Sequence, residues 1–210
     1  MLGTHEPHLQ HVLGSRYRPP VPVTGTRAIE TAERKKRCID AAIALAGEGG
    51  YDAVQMRDVA GRAEVALGTL YRHYASKDQL LLAAMAQQAV TLRERLVQRP
   101  PRGDTPAARL SDVLQRASRA LERQPRVTRA MLTAMSSAGE DTVEAKHEVD
   151  ATLRAIIADA VDGTPVRNLD DIVRVLGSVW FAELTYWCAG FSEKSPMGQN
   201  LARAASLLLP

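Results

Sequence analysis

The stretch VALGTLYRHYASKDQLLL, residues 65–82, gathers side chains suited to a polyanion with patterned edges. Gly68 permits close backbone approach, Thr69 offers a hydroxyl and a methyl, and Tyr71, Arg72 and His73 carry polar tips. Groups of these types bind phosphate oxygens and the hydrogen-bonding edges of bases. Lys77 follows at the start of another helix, where the macrodipole favours an acid, and a nearby phosphate would account for it. Leu70 and Tyr74 fall between these positions and are expected in the core. An ordinary solvated helix face is the competing expectation, and the surrounding elements must decide.

Those elements are short helices. ERKKRCIDAAIALAGEGG puts Ile39, Ile43 and Ala46 on one face of a first helix that starts near Thr31, and the Gly49–Gly50 pair stops it. MRDVAGRA and LGTLYRHY then form two short helices joined tightly around residues 63–65. This is the layout of a helix-turn-helix, whose second helix lies in the DNA major groove. Glu64 stands in the turn where glycine is most comfortable. Ser76 and Gln79 form an S-x-x-Q capping box for a helix to about Gln98, which RPPRGDTP interrupts before Pro106 opens the next.

The rest reads as helix after helix, over about 106–123, 125–139, 141–161, 168–190 and 196–209, giving an all-α chain of about nine helices. With only 4% aromatics and few β-branched runs, the composition agrees. A formal charge of +3 permits an anionic partner without demanding one. In NLDDIVRVLGSVWFAELTYWCAGF the apolar residues run right round the helix, so every side must be covered. A second copy of the chain is the economical cover, with Val173, Leu176 and Phe181 joined by Leu201, Ala205 and Leu208 of the last helix in a homodimer interface. Cys38 and Cys188 each sit in an apolar helical pattern, as reduced thiols in a cytoplasmic protein would. Runs such as LLLAAMA at 80–86 are too short to span a bilayer, and no signal-peptide pattern is present, so no membrane partner is expected. G-x-S-x-G, phosphate-loop, H-E-x-x-H and paired-cysteine patterns are all missing, which argues against an enzyme. His5, His8 and His11 have metal-like spacing but read as incidental, and no metal or cofactor is expected.

RCIDAAIALAGEGGYDAVQMRDVAGRAEVALGTLYRHYASKDQLL resembles the N-terminal DNA-binding domain of the TetR family of transcriptional repressors. The likeness rests on glycine-aromatic after helix one, a T-L-Y recognition helix and S-K-x-x-L-L opening the fourth, over roughly residues 31–85. Gln55 and Ala66 depart from it, standing where many members have a Ser or Thr cap. The first thirty residues, with YRPPVPVTG and no helical period, read as a disordered tail over 1–30. The resemblance implies a homodimer on a palindromic double-stranded DNA operator, with a helix-turn-helix domain over 31–76 and a ligand-binding and dimerisation domain over 77–210. Carried over by position, Leu67, Gly68, Thr69, Tyr71, Arg72 and His73 face DNA, with Arg57 and Lys77 beside phosphates. Arg34, Lys35, Lys36 and Arg37 either meet flanking phosphates or are simply solvated.

The family pattern also implies a small effector. GGY-x-AVQMR and VA-x-GTLYR are similar to a branch that controls cholesterol catabolism in actinobacteria, which implies a steroid or its coenzyme A thioester. A fatty acyl-CoA or drug-efflux regulator, an activator, or a helical ligand-binding module that never touches DNA are the alternatives. Candidate pocket residues are the large apolar side chains of the bundle: Leu92, Leu96, Leu114, Leu121, Met131, Met135, Leu153, Ile156, Trp180, Leu184 and Trp187. Methionines adapt to irregular cavities, which favours Met131 and Met135. Glu183 needs a partner if buried, and an arginine of a neighbouring helix is expected.

Overall fold

The computed structural model describes residues 23–161, 168–191 and 198–209. Among them the chain forms nine helices and no strand: α1 (Val23–Ala53), α2 (Met56–Arg62), α3 (Leu67–His73), α4 (Lys77–Gln98), α5 (Pro106–Glu122), α6 (Pro125–Met135), α7 (Val143–Val161), α8 (Leu169–Cys188) and α9 (Gln199–Leu208). A 3₁₀ turn, Glu140–Thr142, precedes α7.

Helix α1 starts at Val23, so the tail expected over 1–30 reaches too far into the chain. Two local i,i+4 contacts extend the helix backwards, Arg34 to Glu30 at 3.1 Å and the Thr31 hydroxyl to the Arg27 carbonyl at 2.8 Å. The three tail histidines lie outside the described residues. At the other end Gly49 (φ −139°) and Gly50 (φ 74°) break the helix, and Gly50 occupies the left-handed region as the sequence requires.

The caps divide into two groups. Ser76 Oγ accepts from Gln79 N–H at 3.2 Å, while Gln79 Oε1 accepts from Ala75 N–H at 2.6 Å, one residue earlier than the box pattern has it. Thr105 Oγ1 accepts from Ala108 N–H at 3.2 Å ahead of Pro106. Gln55 and Ala66 give α2 and α3 no side-chain cap.

Two apolar cores follow. The first holds Leu70 and Tyr74 of α3 and Leu80, Leu81, Leu82 and Ala84 of α4, against Ile39, Ala42 and Ala46 of α1 and Val59 of α2. It also takes in Val127, Ala130, Met131 and Ala134 of α6, so it crosses the 76/77 boundary expected from sequence. Each fully buried leucine there stabilises the fold by about 1.5–3 kcal/mol. The second core joins Ala89 and Leu96 of α4, Leu110, Val113 and Leu114 of α5, Ile156 and Ile157 of α7, Ile172, Val173 and Leu176 of α8, and Leu201 and Ala205 of α9.

This packing corrects the expected dimer patch. Val173, Leu176, Leu201 and Ala205 are buried within the one chain, because α8 and α9 turn these stripes onto each other and α9 packs on α5. Leu208 is half-buried against the same core. What remains uncovered on α8 and α9 is Val175, Phe181, Tyr186 and Leu207, with Leu207 87% exposed.

Between α2 and α3 the chain turns on Glu64, whose φ of 54° is left-handed. A side chain in that region costs about 1–2 kcal/mol that glycine escapes. Glu64→Gly is therefore expected to raise unfolding stability by roughly 0.5–1 kcal/mol, part of the gain being lost to glycine's freer unfolded state. Urea denaturation of the two proteins measures it.

Candidate nucleic-acid interface and effector cavity

The α2–turn–α3 unit is held from behind. Arg37 of α1 donates from Nε to the Ala63 carbonyl at 3.0 Å, and Val65 N–H bonds the Ala60 carbonyl at 3.0 Å, which fixes the turn. Leu70 is fully buried and Tyr74 nearly so, which anchors the inner side of α3. Its outer side then has to face solvent, and Leu67, Gly68, Tyr71 and Arg72 are exposed, with Thr69 and His73 half-buried at the edges. A Cβ built on Gly68 meets nothing within 4 Å, so nothing in the chain itself demands glycine there.

Arg57, Leu67, Tyr71 and Lys77 come together around a concavity of about 500 Å³ that also takes in Gln55 and Ser76. Lys77 is placed there by its own chain: its ammonium lies 3.7 Å from the centroid of the Tyr51 ring and 3.5 Å from the Tyr51 carbonyl. Tyr51 in turn donates its hydroxyl to Asp78 Oδ1 at 2.5 Å, and burial together with that carboxylate pushes its phenol up to about 12. The cation that sequence assigned to a phosphate thus also has an internal role as a brace between α1 and α4. Gly68, Thr69, Arg72 and His73 lie outside this concavity, further along α3.

The basic start of α1 is mostly engaged. Arg34 pairs with Glu30, Lys36 with Asp40 at 2.6 Å, and Arg37 holds the turn, so of the four cations Lys35 has no such partner among the described ion pairs. Burial and the charges of Lys35, Arg72 and Arg34 hold the His73 imidazole below its ordinary value of 6.5. His73 thus sits in a positive field that disfavours its own protonation.

A second site opens in the bundle. Met85, Gln88, Ala89 and Leu92 of α4, Ala117, Ala120 and Leu121 of α5, Val149 and Leu153 of α7, and Trp180 and Leu184 of α8 enclose an apolar chamber of about 110 Å³. It shares Met85, Val149, Leu153, Trp180 and Leu184 with a cleft of about 740 Å³, which adds Leu132, Met135 and Phe181 and a rim of Lys146, His147, Arg154 and Arg174. Three of those rim cations have partners: Arg154 pairs with Asp150 and Asp170, Arg174 with Asp171, and Lys146 donates to the Ser137 carbonyl. The Trp180 indole N–H is buried at this wall with no acceptor among the described residues. A buried donor in that condition costs about 1–3 kcal/mol.

Of the expected pocket residues, Leu92, Leu121, Leu153, Trp180 and Leu184 line the chamber and Met135 lines the cleft. Leu114 is in the second core and Met131 in the first, both fully enclosed, so neither reaches the cavity. Leu96 and Ile156 are buried in the second core and border other clefts, and Trp187 packs on Leu132 and Leu184 away from the chamber. Sequence reading missed Met85, Gln88 and Ala89, although with Leu92 they repeat at helical spacing along α4. Glu183 accepts from Asn200 Nδ2 of α9 at 2.8 Å, an amide in place of the expected arginine.

An anchored recognition helix joined through α4 to a bundle with its own cavity defines a helix-turn-helix regulator. Residues 39–84 match the model of bacterial regulatory proteins of the tetR family, and residues 103–208 match a tetracyclin repressor-like C-terminal domain. The chain is 36% identical over 178 residues to the HTH-type transcriptional repressor KstR of Rhodococcus jostii strain RHA1, covering 84% of this chain and 83% of that protein. The crystal structure of a TetR transcriptional regulator from Rhodococcus sp. RHA1 superposes with a TM-score of 0.78 at 33% identity, covering 86% of this chain and 97% of that one. FadR from Bacillus subtilis, in complex with stearoyl-CoA, shares the fold at a TM-score of 0.61 and 17% identity, over 83% and 97% of the two chains. The chain belongs to the TetR family of transcriptional repressors. It is a regulator rather than an enzyme. No described helix is long and apolar enough to cross a membrane.

The lowered His73 pKa gives a signed pH dependence. The unfolded chain binds the proton more readily, so stability from this group falls as pH drops through about 6.5 and levels off below the folded value. Phosphates near α3 would offset the Lys35, Arg72 and Arg34 charges, so DNA binding should raise this pKa and take up a proton. Ring-proton NMR titration of His73, without and with operator DNA, is expected to show both shifts.

Proposed function

We propose that the chain is a dimeric repressor that grips a palindromic operator with two copies of α3 and releases it when a small apolar effector occupies the chamber behind α4 together with the larger cleft that shares its wall. The observation that carries this reading is that one helix serves both sites. Leu80, Leu81 and Leu82 seat α4 in the DNA-binding core, and Met85, Gln88, Ala89 and Leu92 of the same helix wall the chamber. Two copies of α3 must sit about 34–36 Å apart to enter successive major grooves. An effector that tilts α4 alters that spacing, so DNA and effector bind in mutual opposition, typically by about 1–3 kcal/mol. The uncovered Val175, Phe181, Tyr186 and Leu207 favour a two-fold partner on α8 and α9, in the cytoplasm where the DNA is.

For the interface, Thr69, Tyr71 and the exposed backbone at Gly68 read bases, while Arg57, Arg72 and Lys77 contact phosphates. Thr69→Ala is expected to cost about 1–3 kcal/mol on the operator and less on random duplex. Arg57→Ala should weaken both alike and flatten the salt slope by about 1.8, one phosphate contact being lost from each of the two chains. Fluorescence anisotropy on DNA upstream of the gene, with two chains expected per duplex, measures all of this; a dimeric Thr69→Ala protein with undiminished operator preference would sink the interface.

The effector is a rigid apolar compound carrying an acceptor oxygen, a steroid or its coenzyme A thioester. Support comes from the chamber's nearly pure apolar wall and from the lone indole N–H of Trp180, which a ring or thioester carbonyl would satisfy. The resemblance to the cholesterol-catabolism branch and the similarity to KstR point the same way. Trp180→Phe removes the donor while keeping an aromatic, if smaller, side chain. Its effector affinity should drop by about 0.5–1.5 kcal/mol with no loss of apo stability. If saturating steroid and thioester panels leave operator affinity unchanged in a mobility-shift titration, the switch is wrong.

A further inference from the structure

The 3₁₀ turn Glu140–Thr142 brings a carboxylate onto the cap of α4. Asp141 Oδ2 accepts from the Ser76 hydroxyl at 2.5 Å, although 65 residues separate the two in sequence, and Ser76 Oγ itself accepts from Gln79 N–H at 3.2 Å. The turn is held in place from within. Thr142 is fully buried and donates from Oγ1 to the Gly139 carbonyl at 2.6 Å, and Lys146 donates to the Ser137 carbonyl. A Cβ on Gly139 would stand 2.5 Å from Asp141 Oδ1, so glycine is what leaves this carboxylate its room. Ala145 is buried in the first core, which seats the start of α7 among the helices that carry α3. Asp141 therefore reaches Ser76 from a fixed support.

The placement is unfavourable toward DNA. Ser76 and Lys77 line the concavity beside α3 together with Arg57 and Tyr71. Among the described ion pairs no cation neutralises Asp141, nor Glu140 and Glu144 on either side of it. Ser76 has a single hydroxyl proton to donate, and the carboxylate accepts it. A phosphate at that hydroxyl must draw it away from Asp141, and the two anions then face each other about 5 Å apart, two hydrogen-bond lengths through one oxygen. Like charges that close repel even in water.

We propose that Asp141 is an internal competitor for the operator phosphate at the cap of α4, an anion that weakens DNA binding and limits how closely α4 meets the backbone. The assignment rests on α3 and the start of α4 being the DNA interface. The competitor belongs to the other half of the chain, because its turn leads directly into α7, whose Val149 and Leu153 wall the chamber. The two halves thus oppose each other over one hydroxyl.

Fluorescence anisotropy on the full-length protein tests it, with DNA upstream of the gene and a random duplex as the two probes. Asp141→Asn can still accept from Ser76 and removes only the charge. At about 0.1 M salt it is expected to bind both duplexes roughly fivefold tighter than the wild type, one repulsion being lifted in each of two chains. The gain should shrink as salt rises, which a purely structural role would not produce. Asp141→Glu restores the charge and should give most of the gain back. Asp141→Ala, which also frees the hydroxyl, serves in place of Asp141→Asn should that protein fail to fold by circular dichroism. Asp104→Asn makes the same change of charge beyond the far end of α4, about 33 Å of helix away, and should gain nothing. Equal or weaker binding by the folded Asp141 variants, a gain indifferent to salt, or the same gain in Asp104→Asn overturns the proposal. The interface reading is judged separately by Thr69→Ala. Should that change abolish operator preference while Asp141→Asn binds like the wild type, the competitor falls and the interface stands; a folded wild type that binds neither duplex sinks both.

Discussion

Everything in this molecule depends on the burial of one helix in two cores. The N-terminal half of α4 is locked by Leu80, Leu81 and Leu82, each without solvent access, among the helices that present α3. Its C-terminal half enters the second core at Ala89 and Leu96. An α-helix of this length behaves as a rod, because its backbone hydrogen bonds make bending costly without a glycine or proline, and α4 has neither. A displacement imposed at Met85 or Leu92 must therefore appear at Lys77 and, through the shared leucines, at α3. The packing also supplies a second rod: α6 puts Val127, Ala130 and Met131 into the first core and turns Leu132 and Met135 toward the cleft beside the chamber. Arg126 at its start donates to the Glu48 carbonyl at 2.8 Å, tying it to the end of α1.

The recognition unit accepts local costs in return for an open outer face. Neither α2 nor α3 has a side-chain cap, and the turn between them holds glutamate in the left-handed region. Each departure costs about 1 kcal/mol. The compensation comes from behind, where Arg37 fixes the turn and Leu70 and Tyr74 fill the core, so the outer residues are released from structural duty. Lys77 is the exception, because it braces Tyr51 while it borders the concavity beside α3. A cation already held in place loses less side-chain entropy when a phosphate arrives, so the brace would favour the proposed contact.

How far the sequence could be read follows from which features are local. The break at Gly50, the strained Glu64, the cap at Ser76 and the inward Leu70 and Tyr74 are set within a few residues, and each was legible. The start of α1 was not, because the prolines of YRPPVPVTG hide a helix that begins right after them. The dimer patch failed for a different reason. A helix apolar all round does not reveal which stripe its own chain covers; α9 takes Leu176 and leaves Val175 and Tyr186, and only tertiary packing decides that. Met131 looked like a pocket residue by type and is core by position, whereas Gln88, absent from the expected pocket, lines the chamber. The lone N–H of Trp180 is invisible to any pattern, since it is defined by the acceptors that are missing around it.

These two kinds of residue bear differently on specificity. An apolar chamber discriminates weakly, about 1–3 kcal/mol per methylene, so shape alone would admit many lipids. A buried donor without an acceptor rejects ligands that cannot satisfy it. On the proposed reading two demands meet at the chamber: the apolar wall that Leu92 of α4 and Ala120 of α5 help to build, and the indole N–H of Trp180 on α8. A compound meeting only one of them binds without the full push on α4. The switch would then respond to the whole ligand, and the selectivity would come from a polar group placed in a permissive apolar site.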